Sequence, residues 1–254
     1  MGSTEDELKT VMRVRLDTLL VEQGLAPSRE RARALILAGQ VAVNGTAARK
    51  AGESVSADAK VTLLQPDHPY VGRGGIKLSH ALDVFAVAIA GCEALDIGAS
   101  TGGFTDVLLR RGAVRVVALD VGHGQIDWSL RNDPRVLVIE GVNARTLTPT
   151  QLPGPFDLVT IDVSFISLRH ILPIVPPLIR ADANVIALVK PQFEAGRREV
   201  GKGGLVKDSA VQERVVHEIL AAASEVGLDR IATTESPVTG AAGNREFFVH
   251  LRRS

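Results

Sequence analysis

EALDIGASTGGFTDVLL, residues 93–109, decides the fold. It opens with a short apolar run of strand length, interrupted by Asp96. Gly98, Gly102 and Gly103 follow, and the chain then takes up helical spacing through Leu109. A strand that passes through glycines into a helix is the first half of a βαβ unit. In open α/β sheets, ligands collect at the carboxyl ends of such strands. Glycine there lets the backbone come close to a ligand. The spacing is G-x-x-x-G-G, a poor fit to the dinucleotide pattern G-x-G-x-x-G, and the G-K-[ST] ending of a P-loop is missing. The glycines alone also suit a plain strand–helix turn.

Outward from this loop, VRVVALD, RVLVIE, FDLVTIDVSF, NVIALVK and EFFVHL read as strands. TDVLLRRG, the segment from Leu168 to Leu178 and DSAVQERVVHEILAAASEVG read as helices. Their alternation predicts an α/β domain on a mainly parallel sheet. Asp120 closes the second strand, 24 residues after Asp96, where an acid accepts hydrogen bonds from ribose hydroxyls. Asp96 is expected to hold an ammonium directly or through water. One acid for an amine and another for a ribose suit an amino-acid nucleoside such as S-adenosylmethionine.

Four further charges gather near the same sheet edge. Asp162 is expected at the end of the fourth strand and Lys190 at the end of the fifth. Lys77 lies in the helix before the first strand, and Glu246 begins the last. Each alone has a bland reading as a local ion pair or cap. Together they suit activation of a weakly acidic hydroxyl. A lysine among other cations has a lowered pKa and can act as a base, while the acids hold the ammonium groups. Alignment of the reacting atoms contributes much of the rate.

Composition bounds the rest. The 254 residues allow a small domain joined to a medium one. Lys+Arg and Asp+Glu both number 29, so net charge does not itself suggest nucleic acid. The single cysteine, Cys92, excludes an intrachain disulfide framework and suggests no zinc site; it argues for a reducing, cytoplasmic setting. No apolar run of about 18 residues appears, so no membrane contact is expected. The opening MGSTEDELKT is polar and acidic, unlike a secretory signal, and reads as a disordered leader, with Met12 an alternative start.

Residues 14–64 read as a compact α+β module. Leu16, Leu19 and Leu20 have helical spacing that Gly24 can stop. Ser28 can cap a second helix whose apolar stripe is Ala32, Leu35 and Ile36, with Gly39 as its stop. Val41 and Val43 precede Asn44-Gly45, a strong hairpin signal. Val55, Val61 and Leu63 supply further strands. Arg29 and Arg33 share one helix face, with Arg15, Arg31 and Lys50 nearby. From Arg13 to Lys60 there are eight Lys+Arg against five Asp+Glu. Such a row can neutralise phosphates; on charge alone, a solvated face partnered by Glu30 explains it equally well. Gln65-Pro66-Asp67-His68-Pro69-Tyr70 breaks both periodicities, and residues 65–75 are read as a linker ending in the glycine-rich GRGG.

RLDTLLVEQGLAPSRERARALILAGQVAVNG, residues 15–45, resembles the RNA-binding domain first seen in ribosomal small-subunit protein S-four. The resemblance implies RNA contacts from Arg15, Arg29, Arg33, Gln40 and Asn44. Residues 76–254 resemble the FtsJ-type ribose 2′-O-methyltransferases, whose Lys-Asp-Lys-Glu set is matched in order by Lys77, Asp162, Lys190 and Glu246. RGGIKL, DIGASTGGFTD, DVSFISL, LVKPQFE and GNREFF extend the likeness to the TlyA family, also labelled hemolysin A. It implies a Rossmann-like class I methyltransferase domain with a seven-stranded sheet whose last strand is antiparallel. S-adenosylmethionine is then the cofactor, bound by Asp96, Gly98, Ser100, Thr101, Gly102, Gly103, Phe104, Asp120 and Asn143. A cytidine 2′-hydroxyl of 16S or 23S ribosomal RNA is the substrate, with ribosomal subunits as partners and no obligate protein partner. Among rivals, a lytic hemolysin lacks a signal, a span or a strongly basic amphipathic helix. A pseudouridine synthase would need a second R-L-D, because Asp17 lies inside the RNA-binding module. An adenine-N6 enzyme would favour [DN]-P-P-[YF], where this chain has D-V-S-F. A pure RNA-binding factor would have no use for the four catalytic residue types. The glycine-rich GKGGLVKD, residues 201–208, is read as a loop over the site.

Overall fold

A computed structural model describes residues 12–37, 39–64, 68–240 and 242–253. The expected leader, residues 1–11, and the proline break at 65–67 lie outside the described residues. The chain divides into two compact units, with the boundary between Pro69 and Tyr70.

The first unit runs β1 (Arg13–Arg15), α1 (Leu16–Glu22), α2 (Arg29–Leu37), β2 (Val41–Val43), β3 (Thr46–Ala47), β4 (Ser54–Ser56) and β5 (Val61–Leu63). Both helices bury one apolar stripe, Leu16, Leu19 and Leu20 on α1 and Ala32, Leu35 and Ile36 on α2. Each of the leucines and the isoleucine contributes roughly 1.5–3 kcal/mol when withdrawn from water, and Ala32 less. The Ser28 hydroxyl accepts a hydrogen bond from the Arg31 amide at 3.2 Å, so the expected cap is in place. Gly39 carries the positive φ of a helix stop. Asn44 and Gly45 take φ of 50° and 81°, and the β2–β3 hairpin closes around them. β1 has no counterpart in the sequence reading. Its three residues pair with β4, some forty positions away, so no local pattern announces it.

The second unit opens with α3 (Gly74–Phe85). It then runs β6 (Glu93–Ile97), α4 (Gly103–Arg110), β7 (Arg115–Asp120), α5 (Trp128–Arg131), β8 (Val136–Glu140), β9 (Phe156–Ile161), β10 (Ile179–Val189), α6 (Pro191–Glu194), α7 (Ser209–Glu225), β11 (Leu228–Glu235) and β12 (Phe247–Arg253). α3 starts two residues inside the span read as linker. Glycine favours loops, but here Gly75 packs against Tyr70 and Gly74 against Phe104, and that packing overrides propensity.

One seven-stranded sheet has the order β11-β12-β10-β9-β6-β7-β8. β12 is antiparallel to both neighbours, and the other described pairings are parallel. Both faces are covered, so β6 buries four consecutive residues instead of alternating. Ala94 packs with Leu78 and Leu82 of α3 and Leu108 of α4; Leu95 and Ile97 face the opposite cluster with Val215 and Ile219 of α7. The chain leaves β6 towards β7 and β8, then crosses back to β9. That reversal makes the carboxyl ends of β6 and β9 the switch point.

The segment from Leu168 to Leu178 corrects the helix expected there. It forms three short 3-10 turns, Leu168–His170, Leu172–Ile174 and Pro176–Leu178. Pro173, Pro176 and Pro177 cannot donate the amides an α-helix needs. The apolar side chains Leu168, Leu172, Val175 and Leu178 still reach the core. Residues 201–208 are tied down: the Asn244 side chain bonds the Gly204 carbonyl and the Val206 amide, and none of the eight lines the cavities described below.

Candidate active site

At the switch point the loop after β6 touches the end of β9. The Asp162 amide donates to the Ile97 carbonyl at 2.9 Å. Gly98 has φ +87°, and a Cβ on it would lie 2.5 Å from the Asp162 carbonyl oxygen. Gly98→Ala therefore combines a disfavoured φ with a backbone collision. It is expected to destabilise the fold by more than about 1 kcal/mol. It should also abolish S-adenosylhomocysteine binding in calorimetry; binding at parental affinity would show that the loop tolerates a side chain.

Two adjoining cavities share Gly98, Ser100, Asp162 and Ser164. The smaller, about 360 Å³, is lined by Lys77, Asp162 and Lys190 together with Arg73, Thr101, Gly103 and Phe104. The larger, about 480 Å³, has apolar walls from Leu119, Val142, Ile166 and Ile171, with Asp120, Asn143 and Gln125 as its polar edge. Strand ends thus deliver residues from five different parts of the sequence to one crevice.

The four charges predicted to converge form two ion pairs. Lys77 Nζ lies 2.5 Å from Glu246 Oε2, with the glutamate side chain only 2% exposed. Lys190 Nζ lies 2.7 Å from Asp162 Oδ1 and donates to Ser164 Oγ at 2.9 Å. Both lysine side chains are 11% exposed. Glu246 does not line the cavity; it backs Lys77 from behind. The antiparallel β12 makes this possible, because its first residues lie at the edge where the parallel strands end. Each lysine is matched by a carboxylate, as expected of acids that hold the ammonium groups, and Arg73 adds a further cation to the smaller cavity.

The expected nucleoside-binding residues divide. Asp120 accepts the amides of Ser100 at 2.8 Å and Gly122 at 2.7 Å, which stretches the loop across the end of β7. Ser100 itself holds φ +49°. Asp96 faces neither cavity. It is fully buried, takes the hydroxyls of Thr105 and Thr160 at 2.7 and 2.9 Å, and burial pushes its carboxyl up to about 6. Gly102 also lies off the cavities; its positive φ and the adjacent Leu130 explain the glycine. Asn143 lines the larger cavity and caps the following turn through Arg145. Arg73, Ser164, Gln125 and Thr239 were not anticipated. Ser164 was within reach, being two residues past Asp162; Arg73 sat in GRGG, read for its glycines alone.

In the first unit, Asp17 is fully buried and accepts Arg15 Nε and Nη2 at 3.0 and 2.8 Å and Arg29 Nη2 at 3.4 Å. Its carboxylate fixes two guanidinium groups that remain more than half exposed. Arg33 is exposed on the same helix, and Gln40 is half-buried. The Asn44 oxygen accepts the Lys60 amide, leaving its NH2 for an outside partner. The Arg15 hydrogen bond lowers the Asp17 carboxyl to about 2. A depressed acid stabilises the fold above its unfolded pKa, and that contribution is lost as pH falls through the folded one. The melting-temperature gap between the parent and Asp17→Asn is therefore expected to hold above pH 4 and to close towards pH 2. A gap independent of pH would contradict the ion-pair origin.

A twisted, mainly parallel seven-stranded sheet with one antiparallel strand, and its crevice at the central switch point, define a Rossmann-like methyltransferase. The FtsJ-like methyltransferase family matches residues 70–253, and the S4 domain matches residues 14–61. The chain belongs to the FtsJ-like methyltransferase family and carries an S4 domain ahead of the methyltransferase unit. It is 48% identical to the 16S/23S rRNA (cytidine-2′-O)-methyltransferase TlyA of Mycobacterium tuberculosis over 94% of this chain and 90% of that one. It is 39% identical to Hemolysin A of Brachyspira hyodysenteriae over 94% and 99% of the two chains. A solved Streptococcus thermophilus structure that carries a hemolysin label is 41% identical, with TM-score 0.76, covering 96% of this chain and 90% of that chain.

Proposed function

We propose that this protein transfers a methyl group from S-adenosylmethionine to a cytidine ribose 2′-hydroxyl of ribosomal RNA. The observation that carries the reading is the pair of lysine–carboxylate contacts on a cavity that opens into the glycine-lined crevice. The named activity of the Mycobacterium tuberculosis relative supports it. The residues also fit the cofactor: Gly98 lines both cavities with bare backbone, and Asp120 offers acceptors at the edge of a cavity whose walls are mostly aliphatic. Asp120 is assigned to ribose hydroxyls, and Gly98 to Thr101 to the amino-acid end. Asp96 is assigned to holding the loop through its two threonines. When bound, S-adenosylmethionine supplies a methyl group already activated on sulfur.

Lys190 is placed to accept the proton of the hydroxyl; Asp162 and Ser164 fix its amine. Lys77, braced by Glu246, orients the attacking oxygen from the other side of the cavity. Phe165, 90% exposed with φ +63° at the rim, offers a face on which the target base can stack. The S4 unit supplies sequence-independent attraction through Arg15, Arg29 and Arg33, with Gln40 and Asn44 beside them. We assign assembled ribosomal subunits as the substrate form.

No helix among the described residues is long and apolar enough to cross a membrane. Mapping 2′-O-methyl groups on 16S and 23S RNA from cells with and without the gene tests the assignment. At least one methyl is expected to vanish on deletion, and a map identical in both strains would refute the substrate.

A further inference from the structure

Two short segments frame the smaller cavity, residues 162–168 after β9 and residues 190–194 after β10. They are cross-linked at three levels. Lys190 bonds Asp162 and Ser164. Phe193 packs against Phe165, with ring centroids 5.0 Å apart. Glu194 accepts the Ser167 hydroxyl at 2.5 Å and the Leu168 amide at 2.8 Å. The first two rungs reach the crevice. The third lines neither cavity, so the chemistry described so far gives Glu194 no part.

We propose that Glu194 is a positioning residue for methyl transfer: its carboxylate clamps Ser167 and Leu168 and so holds Asp162 and Ser164 in register with Lys190. The proposal rests on the reading of this crevice as the site of methyl transfer.

The loop needs such a restraint. Phe165 sits in the left-handed region, with φ +63°, which is strained for a side chain of this size and persists only where surroundings enforce it. Residues 162–167 belong to no helix or strand, and the 3-10 turn that follows is only three residues long. Ser167 also caps that turn by accepting the Arg169 amide at 3.2 Å. One carboxylate thus fixes the far end of the loop while Lys190 fixes the near end. Glu194 stands four residues from Lys190, with the turn Pro191–Glu194 between them, so the two anchors form one short rigid unit. Burial pushes the Glu194 carboxyl above its ordinary range, with the Ser167 hydrogen bond opposing. A partly buried acid kept for two hydrogen bonds to one loop is a costly way to fill space, and a sensible way to set a position.

The test uses the full chain with saturating S-adenosylmethionine and ribosomal subunits from a strain lacking the methyl group. Methyl transfer is measured alongside hydrogen exchange of amides 163–168. Glu194→Ala is expected to lower kcat about 10- to 100-fold, with KM for the subunit unchanged within about twofold, because a displacement near 1 Å has that effect on aligned groups. Its loop amides should exchange faster. Glu194→Gln still accepts the Leu168 amide and can bond Ser167, so it should recover most of the rate. Ser167→Ala should lower kcat in the parent and add little to Glu194→Ala, as expected for partners in one interaction. If Glu194→Ala does not fold, Ser167→Ala releases the loop from the other side and carries the same expectation. Parental kcat in both alanine variants, a loss confined to KM, a glutamine variant as impaired as alanine, or unaltered exchange would each overturn the proposal. If the parent itself transfers no methyl group, the functional reading fails, and the exchange data still decide whether Glu194 holds the loop.

Discussion

Lys190→Ala is expected to slow methyl transfer by roughly a thousandfold, within the range a positioned base contributes. Affinity for S-adenosylhomocysteine should stay within a few-fold of the parent, because the Lys190 amine is held by Asp162 and Ser164, neither of which is assigned to the donor. The variant that discriminates is Lys190→Arg. It keeps the positive charge and can still meet Asp162, but a guanidinium does not give up its proton in a protein. If Lys190 acts by accepting a proton, arginine is nearly as poor as alanine. If it acts only as a charge, arginine restores most of the rate. Single-turnover methylation with both variants separates the two, and an arginine enzyme within tenfold of the parent would remove proton acceptance from the mechanism.

Breaking the other pair should cost stability as well as rate. Lys77→Met leaves the Glu246 carboxylate, 2% exposed, without its cation. Removing one partner of a buried pair typically costs about 3–5 kcal/mol, because the remaining charge stays desolvated. For a unit of this size that is a fall in melting temperature on the order of 10 °C. Replacing both partners, Lys77→Met with Glu246→Leu, should return most of the stability, since apolar groups of similar volume tolerate the site. Activity should not return. Thermal melts and rates measured on the three proteins decide the matter. A single variant as stable as the parent would mean that Glu246 finds another partner or takes up a proton.

Much of the fold was legible because its signals are local. Apolar runs of strand length fixed β6 to β10, and Asn44-Gly45 fixed a hairpin whose φ values only a few residue types tolerate. The 3-10 turns were missed because apolar spacing outweighed three prolines in the reading, although prolines forbid the amides a helix requires. β1 was missed because its partner is distant in sequence. At the site, position near strand ends singled out the four charged residues and a resemblance supplied them as a set; nothing in composition says that Lys77 meets Glu246. Asp96 shows the limit of reading by position. A carboxylate at a strand end was expected to face a ligand, but the strand's alternation turns it towards Thr105 and Thr160. Glu194 was invisible for the same reason, since its role depends on a loop some 27 residues away.

The antiparallel insertion of β12 has a consequence in time. Lys77 precedes Glu246 by 169 positions, so almost the whole unit must be synthesised before the glutamate exists to stand behind the lysine. The parallel strands can assemble earlier around their own apolar contacts, but a nascent chain short of β12 would have its crevice without the carboxylate that pairs with Lys77. The Lys77–Glu246 pair therefore waits on the last strand, β12, which lies between β11 and β10.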